Sequence, residues 1–293
     1  MSNRIDNRSN SICVVVPVFN RINLTERFVQ SVQRSSYRNF KLVIIDDGST
    51  DGTSETLIAK YREVIVLKGN GNLWWAGATN VGVKYAIENN FDFVLTINND
   101  SLVDSDTLEK LLLVAQQNPR SIIGARIMLE RSSTVWALGV RTHWKNESFL
   151  LLDHFRKNLD ILETLPNPLE TTCLTGNGTL IPTAVFRDIG LYNSFWCPQY
   201  HADTEFTLRA RSKGYLSLVA LDAVVYNNNF DNTPTFRITD ELFSKRSHRY
   251  WRPIVYVFLK YSPFKYKVKL YKNFYWLKIR ITNELLKAFR GQA

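Results

Sequence analysis

Asn98, Asn99 and Asp100 stand at the end of an apolar run, residues 93–97, in which Val94, Leu95 and Ile97 have the side chains of a buried strand. Two amides and a carboxylate are thereby set where a strand leaves its sheet, and open α/β sheets bind ligands just beyond such carboxyl ends. A carboxylate there, beside phosphates, is a common way to hold Mg2+ or Mn2+, with water and substrate oxygens filling the remaining positions. Three further loops can reach the same edge. One carries Pro17, Phe19 and Asn20, and the second carries Asp46, Asp47, Gly48 and Ser49. The third, residues 71–77, has glycines that permit close backbone approach and two indoles, Trp74 and Trp75, that offer stacking surface. There is no G-x-G-x-x-G after the first strand and no G-x-x-x-x-G-K-[ST], so neither the dinucleotide fingerprint nor the P-loop fits.

Hydrophobic period sets the elements that position these loops. Residues 12–16 are an unbroken β-branched and small apolar run closed by Pro17, as a parallel strand buried on both faces requires. Asn23 with Glu26 three residues on predicts a capping box, and Leu24, Phe28 and Val32 follow at helical spacing. Strands are expected at 42–45 and 64–67, with helices at 56–61 and 79–88. Beyond the Phe93 strand, Asp104 or Ser105 caps a helix over 108–117 that Pro119 closes, and 122–128 reads as a strand. Residues 204–213 read as a helix ended by Gly214, followed by a strand at 216–221. Strands alternating with helices in this way predict an α/β fold with a doubly wound, mostly parallel sheet and helices on both faces.

Composition narrows the class. A chain of 293 residues, 45% hydrophobic and 22% charged, is that of a soluble globular protein with one large core or two modest ones. Residues 1–10 are polar, without the apolar stretch of a signal peptide, and the longest apolar runs, such as 254–259, are too short to span a bilayer. Cys13, Cys173 and Cys197 are widely separated, forming neither a disulfide framework nor a zinc spacing, which suits a reducing cytoplasm. Charge is divided unevenly. Residues 245–293 hold 13 of the 37 lysines and arginines against one acid, Glu284, whereas residues 1–244 are near neutral with 24 bases and 26 acids.

Five stretches together resemble the inverting family 2 glycosyltransferases, and among them bacterial rhamnosyltransferase-like members. They are VVVPVFNR at 14–21, VIIDDGSTDGT at 43–53, GNLWWAGATNVGV at 71–83, LTINNDS at 95–101 and DTEFTLRARSKGY at 203–215. The resemblance covers about residues 11–230 and implies a GT-A fold over 1–244, with a nucleotide-binding half at 11–101 and an acceptor half at 102–244. It implies a sugar moved, with inversion, from a dTDP- or UDP-sugar to a hydroxyl of a lipid-linked or growing surface glycan, such as a lipopolysaccharide or capsule. Asp46 and Asp47 would hold the nucleobase and ribose, with Pro17, Phe19 and Asn20 lining that pocket. Trp74, Gly77, Asn80, Asn98, Asn99 and Gly176 would complete the donor site. The family's D-x-D stands here as Asn98, Asn99 and Asp100, which leaves Asp100 as the charged ligand for Mg2+ or Mn2+. Relatives often add a late histidine; the corresponding stretch, 226–229, offers tyrosine and amides, which are poorer ligands.

Transfer also needs a base to take the acceptor's proton. By the resemblance this is Asp203, with Glu205 second; capping the 204–213 helix is the alternative role for Asp203. His201 is either a substrate contact or a surface histidine. Trp75 either stacks on a sugar or packs in the core, and the turn at Gly176, Asn177 and Gly178 is either an acceptor-side loop or a plain hairpin. Arg209 and Arg211 either neutralise diphosphate or are solvated helix charges. The depleted metal motif admits a second function, a catalytically impaired nucleotide-sugar-binding protein that docks at membranes.

The basic tail, 245–293, is also rich in aromatics. Pro263 signals a helix start, and Leu270, Phe274, Leu277, Ile281 and Leu285 then form an apolar stripe flanked by lysines. Such a helix reads as a membrane-interface element, with packing on the catalytic domain as the alternative. No RNA-binding motif accompanies the charge, so no nucleic-acid partner is expected. The expected location is cytoplasmic, peripheral at the inner face of the plasma membrane.

Overall fold

Alternate residues of the first strand serve two cores. In β1 (Ile12–Val18), Cys13 and Val15 face one apolar cluster, while Ile12, Val14 and Val16 face the other. Burial on both sides is what an uninterrupted apolar run is for. The computed structural model describes residues 10–130, 132–145, 149–227 and 242–268. After β1 come α1 (Ile22–Gln33), β2 (Phe40–Asp46), α2 (Thr53–Lys60), β3 (Ile65–Lys68), α3 (Trp74–Glu88) and β4 (Phe93–Thr96). Next are β5 (Ser101–Val103), α4 (Thr107–Gln117), β6 (Ser121–Leu129), β7 (Thr134–Ala137), β8 (Val140–Thr142), β9 (Leu150–Leu152), β10 (Lys157–Asn158) and β11 (Leu169–Thr171). The described chain ends with β12 (Thr179–Pro182), α5 (Thr183–Ile189), α6 (Ala202–Ser212), β13 (Leu216–Asn227) and α7 (Trp251–Tyr261).

The main sheet runs β10-β7-β6-β12-β4-β1-β2-β3, with β13 pairing in parallel with β6. Its β4-β1-β2-β3 half is wholly parallel, and β12 enters antiparallel between β4 and β6. Helix α3 supplies Ala76, Ala78, Val83 and Ala86 to the cluster on one face. Helices α1, α2 and α4 cover the other face through Phe28, Leu57 and Leu111 among others. The carboxyl ends of β1, β2 and β4 therefore share one edge, as the α/β reading requires.

Local details differ from expectation for identifiable reasons. Strand β1 runs through Pro17, which pairs in register with Ile45. The last β1–β4 pair is Val15 with Thr96, so the missing Pro17 N–H falls where β4 has already left the ladder. The Asn23–Glu26 capping box does not form. Arg21 takes the cap position in the left-handed region (φ 67°), and the Ile22 N–H donates to Asp51 Oδ2 at 3.0 Å. Glu26 instead accepts from Lys60 Nζ at 3.0 Å. Helix α3 begins at Trp74, five residues before the expected start, because Asp47 satisfies the orphan amides there: it accepts the N–H groups of Gly71, Leu73 and Trp74 at 2.8, 2.9 and 3.1 Å. Helix α4 starts at Thr107 after Asp106, without a side-chain cap from Asp104 or Ser105.

The described part of the tail packs on the rest of the chain. On α7, Pro253 and Val257 are buried, Tyr256 stacks on Trp196 (5.3 Å between centroids, 2° between planes), and Phe258 meets Trp144 and Phe149 edge-on. The expected helix start at Pro263 is followed by helical residues 264–268. The stripe from Leu270 to Leu285 lies outside the described residues, as do Asn228 and Asn229. Among the described residues no helix is long and apolar enough to cross a membrane. Cys13, Cys173 and Cys197 are free and buried, and burial pushes the Cys13 thiol up to about 12.

Candidate active site

The loops after β1 and β2 are stitched together by polar side chains. Asn20 lies in the left-handed region (φ 58°); its N–H donates to Ser49 Oγ at 2.7 Å, and its Oδ1 accepts the Thr50 N–H at 2.9 Å. Asp46 accepts the Ser49 N–H at 2.8 Å on one oxygen and the Ser54 hydroxyl on the other. Asp46 and Asp47 are both buried, with their oxygens engaged by these loops. They hold the shape of the edge, while Phe19, 53% exposed, is the open apolar surface beside it.

At the end of β4 the three polar residues point in different directions. Asn98 Oδ1 accepts the Trp75 indole N–H at 3.0 Å. Asn99 is buried and its Nδ2 donates to Thr25 Oγ1 of α1 at 2.9 Å. Asp100 Oδ2 lies 3.3 Å from the Arg21 guanidinium, and its side chain is 15% exposed against 53% for Arg21. Among the described residues no group of three or more His, Cys, Asp or Glu side chains converges to hold a metal. A single strand-end carboxylate still fits a hard cation such as Mg2+, which binds through one or two carboxylates plus substrate phosphates and water. Its exposed partner, Arg21, is the group such a cation would have to displace.

Across the edge, the loop before β12 carries Asn177, whose Oδ1 accepts from the Asn98 N–H at 3.1 Å and the Ser101 hydroxyl at 3.0 Å. Its neighbour Gly176 donates its N–H to Asp203 Oδ2 at 2.7 Å. A Cβ on Gly176 would lie 2.3 Å from the Trp75 ring, so only glycine lets the loop pass beneath the indole. Asp203 is in the first turn of α6, where its Oδ1 accepts the Thr204 N–H at 2.7 Å. The cap position belongs to His201, so Asp203 is not the N-cap. Two backbone amides fix its orientation, and a carboxylate with about four lone-pair sites keeps capacity for a substrate hydroxyl.

Other expected site residues are committed elsewhere. Asn80 is buried, and its amide clips the Tyr192 backbone with two 2.9 Å hydrogen bonds. Gly77 lies in the first turn of α3 against Leu73. Glu205 is fully buried, bonded by Tyr261 Oη at 2.6 Å, Lys260 Nζ at 3.0 Å and Arg209 Nη2 at 3.1 Å. Burial alone would raise its pKa, but the Tyr261 hydrogen bond and the Arg209 charge outweigh it and hold the carboxyl below its usual range. It therefore anchors α7 and is shut off from any acceptor. Arg209 also donates to the Ile189 and Leu191 carbonyls, and Arg211 pairs with Glu170, so neither faces the strand-end edge. His201 Nε2 sits 3.2 Å from the His248 carbonyl, and burial, opposed by the Asp203 charge, lowers its pKa.

Sequence reading missed several partners. Gln199 Oε1 accepts the Trp75 N–H at 3.0 Å, Pro198 accepts that of Ala76 at 2.9 Å, and the Tyr192 ring meets Trp75 edge-on at 5.3 Å. Lys245 lies over the Trp74 ring at 5.2 Å. These residues are more than a hundred positions from the indoles they hold, so no local pattern marks them.

Comparison with known proteins bears on the family and the fold. The family model described as glycosyl transferase family 2 matches residues 13–189. An uncharacterised glycosyltransferase of Rickettsia conorii is 37% identical over 108 residues, 36% of this chain and 17% of that protein. The low-salt glycan biosynthesis hexosyltransferase Agl10 of Haloferax volcanii is 25% identical over 177 residues, 58% of this chain and 53% of that protein. The chain thus spans well under two thirds of these relatives. Among solved structures, S. aureus TarS (residues 1–349) superposes with a TM-score of 0.52 at 19% identity, covering 74% of this chain and 60% of that one. GalNAc-T7, crystallised with UDP, GalNAc and Mn2+, superposes with a TM-score of 0.62 at 15% identity over 76% of this chain and 45% of that one. Both share the GT-A fold seen here. With its family match running from β1 through α5, this chain belongs to glycosyl transferase family 2.

Proposed function

We propose that the protein transfers a sugar from a UDP- or dTDP-sugar to a hydroxyl of a glycan or lipid-linked acceptor, with inversion at the anomeric carbon. The observation that carries this reading is the short bonded path from Asp203 through Gly176 and Asn177 to Asn98, two residues from Asp100. It supports reading Asp203 as the base and Asp100 as the phosphate-side carboxylate of one site. Asp203 takes the proton of the acceptor hydroxyl as its oxygen attacks the anomeric carbon from the face opposite the diphosphate. The carbon–oxygen bond to the diphosphate then breaks, and its electron pair leaves with the phosphate oxygen. A divalent cation held by Asp100 would neutralise that leaving charge. The Trp75 ring, held by Asn98 and Tyr192, offers a wall for the sugar.

Work at the cytoplasmic face of a membrane, with anionic lipid as partner and a surface polysaccharide as product, belongs to the same reading. Its support is the basic tail. The Arg21–Asp100 ion pair favours a second reading, a nucleotide-sugar binder that has lost turnover. Incubation with UDP- and dTDP-sugars, Mn2+ and lipid-linked acceptors, with the product's anomeric configuration read by NMR, tests both. An inverted glycoside supports transfer. Nucleotide-sugar binding without any turnover supports the second reading instead.

A further inference from the structure

We propose that the outward face of α7 is a docking surface for an anionic lipid bilayer, which it meets lying flat. The assignment rests on the reading of this chain as an enzyme working at a lipid surface, and it names the residues that make the contact. Pro253 and Val257 mark the inner face of α7, where the helix packs on the catalytic half. Two residues on, about 200° around the helix, Trp251, Val255 and Leu259 form a stripe that is 43%, 38% and 51% exposed. Phe264, just past the helix, is 80% exposed. Beside this stripe the Arg252 guanidinium lies over the rings of Phe195 and Trp196 at 4.2 and 5.0 Å, which joins the catalytic half to the same surface.

Charge decides what such a stripe meets. Residues 242–268 contain seven lysines and arginines and no Asp or Glu. Lys260 is turned onto Glu205, Lys245 lies over Trp74 and Arg252 over Phe195 and Trp196, while Arg246 and Lys265 are exposed before and after α7. A Trp-and-Leu stripe flanked by bases matches a helix seated at the level of lipid headgroups. At 11 residues α7 is too short to span a bilayer, so it must lie in the plane. The Glu205 bonds to Lys260 and Tyr261 fix α7 to α6, the helix that carries Asp203, so lipid docking would hold the catalytic half at the surface where a lipid-linked acceptor lies.

The test uses the full chain and flotation with vesicles of equal parts phosphatidylglycerol and phosphatidylcholine, and of phosphatidylcholine alone. The expected result is flotation with the first and not the second, weakening as salt rises. Trp251→Ser with Leu259→Ser should reduce partitioning about tenfold. Arg246→Gln and Lys265→Gln together should reduce it about thirtyfold at low salt. All these side chains are exposed, so the thermal shift given by UDP or dTDP should be unchanged and reports that each variant is folded. The proposal is overturned if the unaltered chain fails to float, or if the Trp251 and Leu259 variant floats as well as it does. Conversion of a dimer to a monomer by that variant would overturn it too, by making a second copy the occupant. Absence of both UDP and dTDP binding throughout, with the flotation pattern intact, would sink the transferase reading and leave the docking surface standing.

Discussion

Asp203 Oδ2 receives the Gly176 N–H at 2.7 Å, and this bond ties the first turn of α6 to the loop that feeds β12. The next residue of that loop, Asn177, is bonded to the end of β4. The carboxylate proposed as base is therefore positioned by the same loop that shapes the strand-end edge. Its reach to an acceptor depends on the sheet as much as on its own helix.

Replacing Asp203 by Asn removes the proton acceptor while keeping a side chain of the same shape. Turnover should fall roughly 10²–10⁴-fold. Donor affinity, read by calorimetry with a UDP- or dTDP-sugar, should stay within a small factor of the unaltered protein. Turnover at the unaltered rate would show that another group takes the proton.

Gly176→Ala places a Cβ 2.3 Å from the Trp75 ring. The indole must shift, and its 3.0 Å bond to Asn98 with it. Overpacking of this kind costs about 1–3 kcal/mol, so urea unfolding should show a loss in that range together with weaker donor binding. An alanine variant as stable as the parent, with unaltered tryptophan fluorescence, would mean the ring and loop do not touch in solution.

The fold was legible because its signals are local. The run at 12–16 and the alternating helices and strands after it are periodic within a few residues. The strand-end residues were legible for the same reason. What the sequence hid is which polar side chains face the ligand and which hold the protein together. Asn80 and Asn99 resemble ligand residues in a string of motifs, yet their amides are taken up by Tyr192 and Thr25. Glu205 reads as an alternative base until α7, some fifty residues on, closes over it. The early start of α3 was hidden likewise, because its cap is Asp47 from another loop.

The Arg21 guanidinium, 3.3 Å from Asp100, competes with any cation for that carboxylate. Arg21→Met should therefore lower the Mn2+ concentration needed for half-maximal UDP binding, and Asp100→Ala should abolish the Mn2+ dependence of that binding. Calorimetric titrations with and without EDTA measure both. If EDTA leaves UDP binding to the unaltered protein unchanged, Asp100 does not act through a cation, and basic side chains must carry the diphosphate charge.

Glu205 is fully buried between α6 and α7, with Arg209 and Lys260 as its charged partners. Removing one member of a buried pair costs about 3–5 kcal/mol, and since Lys260 is 41% exposed the lower end applies to Glu205→Gln. The pH dependence has a definite sign. The folded pKa of Glu205 is depressed, so the unfolded chain binds more protons as the group titrates. Its contribution is complete above the unfolded value of about 4.3 and is lost as pH falls through the folded value. Lys260 and Tyr261 shift upward. For Lys260, burial opposes the rise and its hydrogen bonds to Tyr256, Tyr261 and Glu205 outweigh it; for Tyr261, burial and the Glu205 hydrogen bond both raise it. Their contribution is complete below about 10 and is lost as pH rises beyond it. The stability gap between the parent and Glu205→Gln should thus form a plateau from about pH 5 to 9 and narrow on both sides. Urea midpoints measured across that range test it. A gap that stays constant down to pH 3 would show that Glu205 is not ionised against Arg209 and Lys260 in the folded protein.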